Sequence, residues 1–114
     1  MEKNPKIFLE HILESIGAIE EYATDQTLAT FLASSRDQDA VIRRFEIIGE
    51  AVKNLSDNFR NKYPKVPWNK MAGMRDVLVH EYFTVDIPAV WDTIQGDLPP
   101  LKNQLKEILS KENK

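Results

Sequence analysis

Apolar residues recur at helical spacing along nearly the whole chain. Over roughly 5–23, Phe8, Ile12, Ile16, Ile19 and Ala23 form one stripe, and Pro5 suits a first turn, where its missing N–H has no partner to lose. Thr24 or Asp25 is placed to cap a short second helix through Leu28, Phe31 and Leu32. Ser35 is the candidate cap of a third helix over about 36–55, with Val41, Phe45, Ile48, Val52 and Leu55 along its main stripe. Ile42 and Ile47 fall on other faces, so this helix is expected at the centre, packed by more than one neighbour. SDNFRNKYP reads as a short turn of helix stopped before Pro64. A further long helix is expected to start near Pro67-Trp68.

The last segment carries Ile87, Trp91, Ile94, Leu98, Leu101, Leu105 and Ile108 in a four-three alternation that points to one helical axis. Pro99 and Pro100 interrupt it, each removing a backbone donor and crowding the preceding turn. The apolar phase survives across them, which predicts a kinked helix in preference to two separate ones. Together these segments predict an all-α fold, an up-and-down helical bundle of four to six helices.

At 114 residues the chain fits a single helical domain over 1–114, with 111–114 a polar tail. The absence of cysteine excludes disulfides and thiolate chemistry, and a cytoplasmic location is expected. The start, MEKNPKIFLEHILESIG, has charges spread through it and resembles neither a signal nor a transit peptide. No apolar run approaches the roughly 20 residues that span a bilayer, so no membrane contact is expected. A formal charge of −3 argues against a protein that coats nucleic acid with overall positive charge. Any nucleic-acid contact needs a local basic patch, for which Arg36, Arg43, Arg44, Lys53, Arg60, Lys62, Lys65 and Lys70 are available; most of them read as a solvated helical surface.

The chemistry concentrates in RDVLVHEYF, residues 75–83. Stepping about 100° per residue places Trp68, Met71, Ala72, Leu78, Val79 and Tyr82 in one sector, with Arg75 in its middle. An arginine on a packing face needs an acidic partner, a subunit interface or an anionic ligand. Asp76 and His80 are four residues apart, a spacing at which the carboxylate can orient the imidazole. Arginine binds phosphate bidentately and histidine exchanges protons near neutrality, a pairing that suits phosphodiester chemistry. A two-fold dimer with two such helices face to face would double this apparatus and also account for the interrupted apolar stripe. On spacing alone, His80 reads first as a surface or helix-end histidine and Tyr82 as an amphipathic core residue with a wet hydroxyl.

Arg75-Asp76-Val77-Leu78-Val79-His80-Glu81-Tyr82 resembles the RxxxxHxY signature of the HEPN superfamily, specifically the HepT-like toxins. Ile47 to Ala51, Pro67-Trp68, Val90-Trp91 and Asp97 to Pro99 extend the similarity over about residues 5–110. The resemblance implies a HEPN-like bundle, a homodimer and a cofactor-free, metal-independent endoribonuclease whose cleft combines Arg75 and His80 from both subunits. It implies that Arg75 holds the phosphate, that His80 transfers protons and that Asp76 orients His80 or shapes the cleft. It also implies a partner, an MntA-like nucleotidyltransferase antitoxin that moves AMP from ATP onto Tyr82.

Other residues read more simply. Glu46 and Glu50 lie one turn apart but lack an ExxH partner motif, so pairing with Arg43 or Lys53 is expected in place of metal binding. His11 sits just off the first helix's stripe and reads as a surface residue. The rival functional readings are a non-catalytic HEPN module that binds the nucleotidyltransferase or a nucleotide, and a helical scaffold whose Arg75 makes only an interface salt bridge.

Overall fold

The Asn4 side chain accepts a hydrogen bond from the Lys6 N–H at 3.0 Å, Pro5 occupies the first turn, and α1 (Pro5–Ala23) follows. The computed structural model describes residues 4–113, apart from the side chain of Tyr82. Leu9, Ile12, Ile16 and Ile19 of α1 are fully buried, each contributing about 1.5–3 kcal/mol through removal from water. The stripe is therefore rotated from the expected one: Leu9 joins it, while Phe8 and Ala23 are only partly buried. The cause is tertiary, because α1 packs against both α3 (Ser35–Asn54) and α7 (Leu98–Glu112).

Thr24 and Asp25 end α1 and do not cap the next helix. Thr24 is the C-cap, and Asp25 turns the chain with a φ of 63°, a left-handed conformation that aspartate tolerates. The cap of α2 (Leu28–Leu32) is Thr27, which exchanges hydrogen bonds with Thr30 at 3.2 and 2.9 Å. Ser34, one residue before the expected Ser35, caps α3 by accepting from the Asp37 N–H at 3.2 Å. Ser56 does the same for α4 (Asp57–Lys62), and Asp86 for α6 (Ile87–Asp92).

As its scattered apolar positions imply, α3 is central, packed by both α1 and α5 (Trp68–His80). Short α2 bridges α3 and α6, where the Phe31 and Trp91 rings meet with centroids 5.2 Å apart. The result is the expected all-α bundle, and among the described residues there is no strand. No helix among those residues is long and apolar enough to cross a membrane.

The proline pair is absorbed without a break. Between α6 and α7, Thr93–Asp97 form a π turn, and the Leu98 N–H donates to the Thr93 carbonyl five residues back. Backbone angles remain right-handed helical from Asp92 through Leu98. A wider turn relieves the clash that each proline ring makes with a carbonyl four residues earlier, and it keeps Ile94, Leu98 and Leu101 on the buried side. At the other end, α7 runs through Glu112, so Lys111 and Glu112 belong to its last turn and not to a tail. Glu112 accepts from Lys62 at 2.8 Å and from the Tyr63 hydroxyl, tying α7 to the end of α4.

Candidate active site

Two anchors set the course of α5. At its start, the Trp68 indole N–H donates to the carbonyls of Arg60 and Tyr63 at 3.2 and 3.0 Å, with the Phe59 ring packed beside it. In its middle, α5 crosses α3 at Gly49. A Cβ built on that glycine would stand 2.1 Å from the Arg75 Cβ and 2.9 Å from the Met71 carbonyl oxygen. Only a residue without a side chain permits this approach. The stem of Arg75 thus lies on α3, and its guanidinium reaches the α3 carboxylate at Glu50.

Four charges meet there. Arg75 Nε is 3.4 Å from Glu50 Oε2, and Nη1 donates to Asp76 Oδ1 at 3.1 Å. The same Asp76 oxygen accepts a hydrogen bond from Lys53 of α3. The Lys53 hydrogen bond, followed by that from Arg75, holds the Asp76 carboxyl below the usual carboxylate range. The Asp76–His80 pair allowed by spacing is not the one formed: the α3–α5 crossing brings Lys53 to Asp76, and Lys53 and the adjacent Arg75 take its carboxylate. Glu50 and Asp76 are 57% and 46% exposed, so these ion pairs orient the guanidinium while adding little stability. Glu46 pairs with Arg43 at 3.5 Å, so both α3 glutamates have arginine partners.

Arg75 opens onto a groove of about 360 Å³. Phe8 and His11 of α1 line one side and Arg75 and Val79 of α5 the other, with Glu46 and Glu50 of α3 between them. His80, the last residue of α5, is exposed beyond Val79 and does not line this groove. The α-helix stops there, two residues short of Tyr82. Glu81 leaves helical geometry and Tyr82–Thr84 form a 3-10 turn, consistent with the weak helix propensity of the Tyr-Phe-Thr-Val run. The Tyr82 side chain lies outside the described part of the structure. Val77, Val79 and Phe83 are 49%, 41% and 97% exposed, so apolar side chains flank His80 in sequence without being buried.

The structure thus brings Arg75, Asp76, Glu50 and Lys53 together and leaves His80 outside their groove. Sequence reasoning missed the closeness of Gly49, the Lys53 contact and the presence of His11 in the groove. All three depend on how separate helices cross.

Residues 12–108 match the family described as Ribonuclease HepT-like. A Methanocaldococcus jannaschii protein named a gamma-glutamylcyclotransferase and candidate RNase is 50% identical over all of this chain. The chain spans about half that relative, 51% of its length. A candidate RNase from Caldanaerobacter subterraneus subsp. tengcongensis is 46% identical over 96% of this chain and 98% of its own length. A Thermococcus cleftensis protein named "Probable ribonuclease HepT" is 43% identical over 95% of this chain and 98% of its own. No solved structure gives a significant match. From these matches and the all-α bundle that accompanies them, the chain belongs to the HepT-like family of ribonucleases.

Proposed function

We propose that this chain is a metal-independent endoribonuclease acting as a homodimer through Arg75 and His80, and that it is the toxin of a toxin–antitoxin pair. The observation that carries this reading is the placement of Arg75, whose stem is fixed on α3 at Gly49 while its guanidinium faces an open groove. Nε and Nη1 face Glu50 and Asp76, which leaves Nη2 for a phosphate oxygen. Charge that builds on the phosphoryl oxygens in the transition state falls beside this preset cation. The attacking 2′-hydroxyl must lose a proton and the leaving 5′-oxygen must gain one, tasks suited to imidazole. The products are a 2′,3′-cyclic phosphate and a 5′-hydroxyl.

His80 stands outside the groove that its own Arg75 lines, so one protomer offers an incomplete set. A two-fold dimer that brings the two α5 helices together would supply the missing group in trans. Neutralisation fits the same surface: AMP transferred to Tyr82 by an MntA-like nucleotidyltransferase would add an anionic group close to His80, repel RNA and compete for Arg75.

The scaffold reading draws on the ion pairs of Arg75. Those pairs are exposed and weak, and they do not explain why a glycine is used to seat the arginine.

Subunit mixing tests the composite site. R75A and H80A, each inactive alone, are expected to regain cleavage when unfolded together and refolded as mixed dimers. No recovery, in mixtures shown to contain heterodimers, would overturn the composite site. Intact mass after co-expression with the nucleotidyltransferase tests the neutralisation step: adenylate additions are expected on the parent and absent from Y82F.

A further inference from the structure

The chain contains two histidines, and the one that lines the Arg75 groove is His11. It comes from α1, far in sequence from the motif, and the packing of both α1 and α5 against α3 puts it there. We propose that His11 is a second proton-transfer residue of this site, acting on the same phosphodiester as Arg75. This inference rests on the ribonuclease reading.

Transesterification moves two protons. The 2′-oxygen gives one up as its bond to phosphorus forms, and the 5′-oxygen receives one as its bond to phosphorus breaks. In the proposed dimer each groove receives one His80, from the partner protomer. A single imidazole cannot be both the free base and the loaded acid at the same instant, so a second group is needed to share the work. The charged groups around the groove leave few candidates. From α3, Glu46 is paired with Arg43 and Glu50 with Arg75; from α5, Asp76 is held by Lys53 and Arg75. The Lys53 and Arg75 hydrogen bonds hold the Asp76 carboxyl below its usual range, which makes it a poor base. On α1 itself Glu10 and Glu14 flank His11 in sequence, and from α7 Lys102 pairs with Glu20, more than two turns further along α1. His11 is exposed and has no hydrogen-bond or ion-pair partner among the described residues. It is the groove-lining side chain of a type that ordinarily titrates near neutrality. His11 and His80 would then divide the two transfers, one as base and the other as acid.

The test is the pH–rate profile of H11Q against a single-stranded RNA labelled with a fluorophore and a quencher, with the parent, R75A and H80A alongside. Glutamine keeps the size and polarity of the site but carries no titrating proton, and an unchanged melting temperature checks the fold. The expected result is a kcat about a hundredfold lower, in line with loss of a general acid or base, with KM little changed and one limb of the profile missing. An H11Q enzyme with the parent's kcat and both limbs intact, while R75A and H80A are dead, would overturn the role of His11 and leave the ribonuclease reading standing. A raised KM with an unchanged profile would also overturn it, showing a groove residue that only binds. If R75A and H80A cleave as fast as the parent, the ribonuclease site itself is wrong and the His11 proposal falls with it.

Discussion

Gly49 of α3 lies directly under Arg75 of α5, so close that a methyl group on the glycine would overlap the arginine Cβ. The contact is with the root of the side chain, which cannot swing aside without moving the helix. An absent side chain on one helix therefore seats the cation on another.

Gly49→Ala is expected to destabilise the protein by about 1–3 kcal/mol, the usual cost of overpacking a tight contact. Gly73, also helical, has open space where a Cβ would be. Gly73→Ala should stabilise by about 0.5–1 kcal/mol, because alanine suits a helix interior better. Urea denaturation of both variants checks this pair, and a loss of equal size in the two would contradict it.

Asp76→Asn removes the carboxylate that Lys53 and Arg75 share. The site is exposed, so stability should change little. The RNA cleavage rate should nevertheless fall by about tenfold as the guanidinium loses its orientation, given that small misplacements in an active site carry large rate costs. A fall in melting temperature that accounts for the lost activity would instead make Asp76 a structural residue.

Ser15 is 1% exposed on the buried face of α1, and its hydroxyl has no hydrogen-bond partner among the described residues. A buried hydroxyl without a partner is destabilising, so Ser15→Ala is expected to raise stability by about 1 kcal/mol. Thermal unfolding measures it directly, and a lower melting temperature would show that the hydroxyl is bonded in solution.

The α4–α7 tie sets a pH dependence. Hydrogen bonds from Lys62 and Tyr63 hold the Glu112 carboxyl below its ordinary range, and Lys53 and Arg75 do so for Asp76. A carboxyl with a lowered folded-state pKa stabilises above its unfolded value of about 4 and loses that contribution as pH falls through the folded value. Lys62 and Tyr63 are raised, chiefly by hydrogen bonding to Glu112. Their contributions are present below an ordinary value of about 10 and fade as pH climbs through the raised ones. Melting temperature should therefore drop at both extremes, and Glu112→Gln should flatten both slopes. A variant with the parent's curve would remove Glu112 from the explanation.

Much of the bundle was legible in the sequence because burial on a helix leaves a period of 3.6 residues, and α1, α3, α5 and the α6–α7 path all carry it. Capping residues were legible only to within a few positions. Thr24, Asp25 and Thr27 all offer cap-like chemistry, and tertiary packing decides that Thr27 starts α2. The π turn left no mark except a preserved apolar phase across Pro99 and Pro100. At the candidate site, Arg75 and His80 stood out through their motif spacing. The partners of Arg75 did not, because Gly49, Glu50 and Lys53 reach it only through a helix crossing. The end of α5 at His80 was missed because the motif was read as one uninterrupted helix through Tyr82.

The assignment of Arg75 and His80 is tested most directly by the rate of RNA cleavage by purified protein in excess chelator, with the product ends identified. Parent protein is expected to leave cyclic phosphate ends, and R75A and H80A to cleave at least about a hundredfold more slowly while melting at the parent's temperature. Equal rates for parent and H80A, or activity that vanishes with the chelator, would contradict it.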